Sequence, residues 1–178
     1  MRLLFILFIC LTAGAQTYQD QSLNLEVTIP PVAILSVEPS NESIVFELDN
    51  NEIAGTNYSF VYVNNIKWLN FTSCLPIGKQ SRTISAQIDN GMLPQGLELN
   101  LQISDYQGSG EGDLGTSAGK VTLTSQPQIL VSNIKNGYTG SGKNNGYQLI
   151  YELKIVDYDL LAYVNESILT VSYTITDD

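Results

Sequence analysis

Histidine is absent from this chain, and only two cysteines and one tryptophan occur among its 178 residues. Without an imidazole there is no Ser-His-Asp triad, no Cys-His dyad and no zinc site of the common histidine-containing kinds. Positive charge is scarce as well. Eight Lys and Arg stand against 18 Asp and Glu, for a net charge of -10. Binding to a phosphate backbone rests on cationic side chains, so no nucleic acid is expected as a partner. The run Leu3 to Leu11 falls well short of the roughly 20 apolar residues that a membrane-spanning helix needs. Helical spacing of apolar residues is nearly missing too, which leaves little for a helical fold to build on.

What is present begins with a targeting signal. Arg2, the apolar run Leu3 to Leu11 and the small residues Ala13, Gly14 and Ala15 read as a secretory signal peptide over residues 1–15, cleaved after Ala15. Lipid attachment through Cys10 is the rival reading, but Ile9 is bulky and branched where such cleavage sites want a small residue. Cleavage leaves residues 16–178 as a single domain of ordinary size, still more acidic once Arg2 is gone, with no transmembrane segment. It also leaves Cys74 without an intrachain partner. A chain of this length can bury an adequate core without disulfides, and Cys74 is expected to act as a small apolar residue beside Trp68 to Phe71.

The dominant pattern is alternation. Leu23, Leu25, Val27 and Ile29 are interleaved with Asn24, Glu26 and Thr28, and Ile44, Phe46 and Leu48 follow the same rule. So do Ile84, Ala86 and Ile88, then Leu97, Leu99, Leu101 and Ile103, and Val121 with Leu123. The series ends with Leu149, Tyr151, Leu153 and Ile155 and with Leu169, Val171, Tyr173 and Ile175. A period of two places the apolar residues on one face of a half-buried antiparallel strand. Turn signals separate these runs at Asn50-Asn51, Asn90-Gly91, Pro94-Gln95-Gly96, Asn136-Gly137 and Asn145-Gly146. The fold class that follows is all-β, an antiparallel two-layer β-sandwich of immunoglobulin-like type, with a jelly roll as the alternative. Only the stretch Tyr158 to Tyr163 suggests a helical turn, capped by Asp157 or Asp159.

Three stretches invite a functional reading. Gly137 to Asn144 matches a phosphate-binding P-loop except that Asn144 stands in place of the Ser or Thr that would ligate magnesium. The following segment alternates like a strand instead of opening a helix, so a hairpin loop is expected. Asp105 to Gly115 spreads three carboxylates among glycines, a composition that suits calcium, although it lacks EF-hand spacing and is not a tandem repeat. A solvated loop is the first expectation there, with calcium as the one candidate cofactor. No carboxylate constellation stands out for sugar hydrolysis, and Glu152 with Lys154 reads as a surface charge pair. No catalytic residues are expected, and the chain is read as a non-enzyme. The candidate contact residues are Tyr106, Glu111 and Asp113 in the first loop and Tyr138, Lys143 and Tyr147 around the second. Trp68, grouped with Leu69 and Phe71, is expected in the core.

The segments Trp68 to Ser73, Arg82 to Asp89, Pro94 to Leu97, Tyr138 to Gly142, Asn145 to Leu149 and Leu169 to Thr176 resemble secreted proteins of the Bacteroidota. More loosely, the whole is similar to fimbrial-subunit and spore-coat-U-like sandwiches. The resemblance covers most of the chain after residue 15, rests on strand and turn patterns, and implies an extracellular or cell-surface structural role. The chain departs from many fimbrial subunits in lacking their intrachain disulfide. Consecutive strands usually neighbour one another, so Leu23, Leu25, Val27 and Ile29 are expected first to pair within their own sandwich. Their alternative is to serve as a donor strand for a second molecule. Two functions follow as expectations: a secreted structural or adhesive subunit with protein partners or self-assembly, and an extracellular module binding glycan or calcium through its glycine-rich loops.

Overall fold

The computed structural model describes residues 23–49 and 53–178. The expected signal peptide and the Asn50-Asn51 turn lie outside the described residues. The chain is all-β, with antiparallel strands and no helix among the described residues. In chain order the strands are β1 (Val32–Glu38), β2 (Val45–Leu48), β3 (Phe60–Val63), β4 (Ile66–Cys74), β5 (Arg82–Asn90) and β6 (Leu97–Gln107). They continue with β7 (Glu111–Gly112), β8 (Thr116–Ser117), β9 (Lys120–Thr122), β10 (Gln128–Ile134), β11 (Gly137–Tyr138), β12 (Gly146–Ile155) and β13 (Thr170–Asp177).

Two sheets pack face to face. In the first, β4 pairs with β1 on one side and with β12 and β11 in succession on the other; β12 pairs with β6, and β6 with β9. The second has the order β13-β5-β10-β8. A separate two-stranded hairpin, β2-β3, joins Phe46 edge-on to Tyr62. Alternation explains the core. Leu69, Phe71, Leu99, Leu101, Ile103, Tyr147, Leu149 and Tyr151 of the first sheet meet Ile84, Ala86, Leu130, Val131 and Ile134 of the second. Each fully buried aliphatic side chain contributes about 1.5–3 kcal/mol by leaving water, so this interior is where the sandwich is held.

The two seams of the sandwich differ. Along one, the chain itself crosses from β8 to β9 through Ala118-Gly119, and backbone bonds tie the crossing segment to both sheets. Ile103 N–H donates to Gly119 O, Ala118 N–H to Leu130 O (2.8 Å), Leu123 N–H to Leu99 O (2.8 Å) and Ile88 N–H to Thr124 O (2.7 Å). Along the other seam β1 and β13 are the two edge strands, close in space but sharing no strand pairing. Their inward residues, Leu35 and Val37 on β1 and Val171, Tyr173 and Ile175 on β13, are only half-buried. One end of this seam is stapled by Arg82, which is buried at the start of β5. Its guanidinium donates to Asp177 of β13, to Val32 O of β1 and to Ser73 Oγ of β4 (3.2 Å).

Several sequence expectations are corrected by this arrangement. The run 23–29 carries no strand and pairs with nothing in the described chain; Pro30 and Pro31, which have no N–H to give a ladder, stand between it and β1. Gly137 to Gly146 is not a hairpin loop, because β11 and β12 do not pair with each other but follow one another along the same edge of β4. Glu152 pairs with Lys120 of β9 at 2.7 Å, reaching past β6, rather than with Lys154. The turn at Tyr158 to Leu161 is present, and Asp157 caps it by accepting from Asp159 N–H at 2.9 Å.

Candidate functional site

Three surfaces collect the residues singled out from the sequence. The first is the N-terminal run. Leu23, Leu25, Val27 and Ile29 expose between 76% and 84% of their surface. Four alternating apolar side chains, all in water, are unusual, because an apolar patch of that kind normally seeks cover. The free edge of β13 is a feature of matching character: eight residues long, with a half-buried apolar face and no strand partner on that side among the described residues. Tyr173 adds a second mark, since its hydroxyl is the one buried side-chain polar atom without a hydrogen-bond partner among the described residues.

The second surface is the pair of glycine-rich loops, which the structure brings together. Strand β7 continues the direction of β6, and β12 continues that of β11, so residues 108–110 and 139–145 leave adjacent strands at the same level of one sheet. They interlock through backbone. A Cβ at Gly110 would lie 2.0 Å from Tyr138 O, and one at Gly146, whose φ is +89°, 2.0 Å from Leu69 O. Only glycine admits so close an approach. Asn145 binds the loops together, accepting from Ser109 N–H at 3.3 Å and donating to Ser141 O at 2.9 Å. Asn70 fixes the longer loop by donating to Asn145 O at 2.6 Å and accepting from Gly142 N–H at 2.9 Å.

The six candidate contact residues therefore have different fates. Tyr147 is withdrawn from the contact surface: it is 1% exposed, stacks on Phe71 at 6.2 Å and donates to Leu114 O at 2.8 Å. Burial pushes its phenol up to about 12, with Tyr106, Asp105 and Asp113 acting in the same direction. Burial also raises the phenol of Tyr151. Tyr106 is half-buried, and its hydroxyl links Gly110 N–H to Thr139 O. Glu111 and Asp113 are exposed. Asp113 faces Lys135 at 3.0 Å, and the hydrogen bond and charge of that ammonium hold its carboxyl below the usual range. No group of three or more His, Cys, Asp or Glu able to hold a metal ion occurs among the described residues. Tyr138 and Lys143 remain at the surface.

No family model, curated protein or solved structure matches the chain. Function is therefore argued from geometry alone. No helix among the described residues is long and apolar enough to cross a membrane.

The third surface gathers Trp68, Tyr138 and Lys143 with Glu42, Asn64 and Asn65, which no sequence pattern marked as contact residues. On the outer face of the first sheet, two depressions flank the 139–145 loop. One, of about 320 Å³, is lined by Pro39, Glu42, Asn64, Asn65, Ile66, Trp68 and Lys143; the other, of about 510 Å³, by Thr72, Tyr138, Gly140 and Ser141. Trp68 corrects the expectation made for it. It is buried, at 6% exposure, but lies outside the core cluster, because alternation turns it and Asn70 away from the inward Leu69 and Phe71. The signal that could have found this surface is the Asn64-Asn65 doublet before β4, where Asn64 adopts φ +56°, a conformation that asparagine tolerates in tight turns.

Proposed function

We propose that the chain is a secreted, non-enzymatic structural or adhesive surface subunit that assembles by strand addition. Residues 23–29 of one molecule extend along the free edge of β13 in another, with Leu23, Leu25, Val27 and Ile29 turned toward Val171, Tyr173 and Ile175 and with Asn24, Glu26 and Thr28 turned to water. The observation that carries this reading is the coexistence of an exposed, alternating, unpaired segment with an open, half-covered seam in the same chain. An edge strand presents unpaired N–H and C=O groups as a template for another chain, and strand addition uses those groups for affinity and alternate side chains for specificity.

Magnitudes say why an edge is needed rather than an apolar patch. Burying each apolar side chain gains about 1.5–3 kcal/mol, while ordering each residue costs about 1–2 kcal/mol. With only every second residue apolar, the two nearly cancel. The ladder hydrogen bonds then decide the balance, and only an unpaired strand supplies them. An exposed position outside the membrane also agrees with the leader-like residues 1–15 and the strongly acidic surface, which keeps unassembled subunits soluble.

The test compares chains beginning at Gln16 and at Pro30 by light scattering coupled to size exclusion. The longer form is expected to assemble with rising concentration and the shorter to stay monomeric and folded, with a synthetic peptide of residues 21–29 raising its melting temperature. If the form beginning at Pro30 assembles to the same extent, or if neither form assembles at its highest soluble concentration, strand addition through this segment is wrong.

A further inference from the structure

We infer that the depression floored by Trp68 is a binding site for a neutral saccharide. It lies on the outer face of the first sheet, and none of its lining residues belongs to β13, the edge on which the proposed assembly rests. Its walls are built rather than incidental. The segment 39–42 is held by Lys67, itself buried, whose ammonium donates to Pro39 O at 3.0 Å and Glu42 O at 2.6 Å. Asn65 is held by β12, donating to Tyr151 O at 3.1 Å and accepting from Tyr151 N–H at 2.9 Å. The opposite wall is the 139–145 loop, tied down by Asn70. Preorganised walls of this kind spare a ligand the cost of ordering its site.

Within this fixed frame three polar side chains are free. Among the described residues, no hydrogen bond or ion pair engages the side chains of Glu42, Asn64 or Lys143. Together they offer an acceptor, a carboxamide that both donates and accepts, and a cationic donor, in a depression shared with the Trp68 side chain and the aliphatic Ile66 and Pro39. Hydroxyl groups on a ring with apolar C–H faces satisfy that set, because each hydroxyl can both donate and accept. A volume of about 320 Å³ is at the small end of ligand pockets, which suits one or two sugar rings. Charge selects among saccharides. Glu42 and Lys143 cancel within the site, and the chain as a whole carries -10, so an acidic glycan is repelled and a neutral one is not. The second depression, on the far side of the same loop, places the exposed Tyr138 with Thr72 and Ser141, where a longer chain of sugars would extend.

The chain contains a single tryptophan, so its fluorescence reports on this floor and on nothing else. The probes are four neutral trisaccharides, namely maltotriose, cellotriose, mannotriose and triacetylchitotriose, with sialyllactose as the acidic comparison. At least one neutral probe is expected to shift the emission saturably with a Kd of about 1 mM or tighter, the range open to a small site of few contacts, and sialyllactose to bind more weakly. Lys143→Ala and Asn64→Gly, both at exposed positions and the second relieving a positive φ, are expected to weaken binding by roughly tenfold or more, as the loss of a charge-assisted or buried hydrogen bond does. Glu111→Ala, in the other glycine-rich loop, should leave it unchanged. The proposal is overturned if no neutral probe perturbs Trp68, if both variants bind like the parent, or if sialyllactose binds best. Because the form beginning at Pro30 retains every lining residue, binding by that form separates failure of this site from failure of assembly.

Discussion

The two seams of the sandwich solve the same problem in different ways. Where β8 runs into β9, the gap between the sheets is closed by the crossing chain, held to both sheets by backbone bonds at Ile88, Ile103, Ala118 and Leu123. Where β1 faces β13, closure is left to the side chain of Arg82 at one end, and the rest shows half-buried Leu35, Val37, Val171, Tyr173 and Ile175. A seam closed by distributed backbone bonds has no room for another chain. A seam closed by one residue keeps an edge available, and the same molecule carries an exposed apolar segment at residues 23–29 with no strand partner among the described residues. The proposed assembly thus uses the side of the domain opposite the seam that the β8–β9 crossing closes.

The largest effect should come from removing the staple. Arg82→Ala deletes bonds to three strands and leaves Asp177 without its partner, so a loss of about 3 kcal/mol is expected in urea unfolding. Ser117→Ala, which removes the bond to Ile103 O on the closed seam, should cost about 1 kcal/mol, because the backbone bonds beside it persist. Equal costs would erase the distinction between the seams.

Alkali is the next probe, since it acts on the interior rather than on the open side. Tyr147 is raised from 10.0 to about 12 in the folded chain. A phenol whose folded value is raised gives its full stabilisation below pH 10, and that contribution is lost as pH climbs through its folded value. The part lost from Tyr147 is on the order of 3 kcal/mol, with Tyr151 acting in the same direction. Stability measured between pH 9 and pH 12 should fall accordingly, and Tyr147→Phe should flatten that slope. An unchanged slope in the variant would show that this phenol is not the group responsible.

Hydroxyl deletion gives a smaller and sharper contrast. Tyr147→Phe at neutral pH removes bonds to Leu114 O and Gly115 O and should cost about 1 kcal/mol. Tyr173→Phe removes a buried hydroxyl that has no partner, so it should be neutral or stabilising by up to about 1 kcal/mol in the monomer. A cost at Tyr173 as large as that at Tyr147 would mean that the open seam is not under-satisfied. The smallest effect is expected from Lys120→Ala. Its pair with Glu152 is exposed on both sides, so calorimetry should register no more than about 1 kcal/mol, falling further in salt.

Much of this was legible in the residues. The one-sided alternation of Leu97 to Ile103, of Leu149 to Ile155 and of Leu169 to Ile175 corresponds to β6, β12 and β13, because a half-buried strand writes its burial into every second position. The same rule carried back two residues from Leu149 reaches Tyr147, and so held the signal for its burial. Strand β4 was harder to read, since both of its faces are covered and its run Lys67 to Phe71 is buried throughout; a strand buried on both sides shows no alternation. The glycine-rich loops stood out as unusual, but their role did not, because the groups that bind them, Asn70 and Asn145, lie 75 residues apart.

By itself, then, the amino-acid sequence determined the secondary-structure type, the lack of histidine chemistry, and the one-sided apolar character of residues 23–29. These follow from residue type and from a period of two, which are local. Only the tertiary structure decided which sheet edges stay open, that the two loops are welded to each other, and that Trp68 faces outward beside Asn64 and Lys143. Those are outcomes of pairing between strands far apart in the chain, and local alternation states which face a residue takes without saying what stands opposite it.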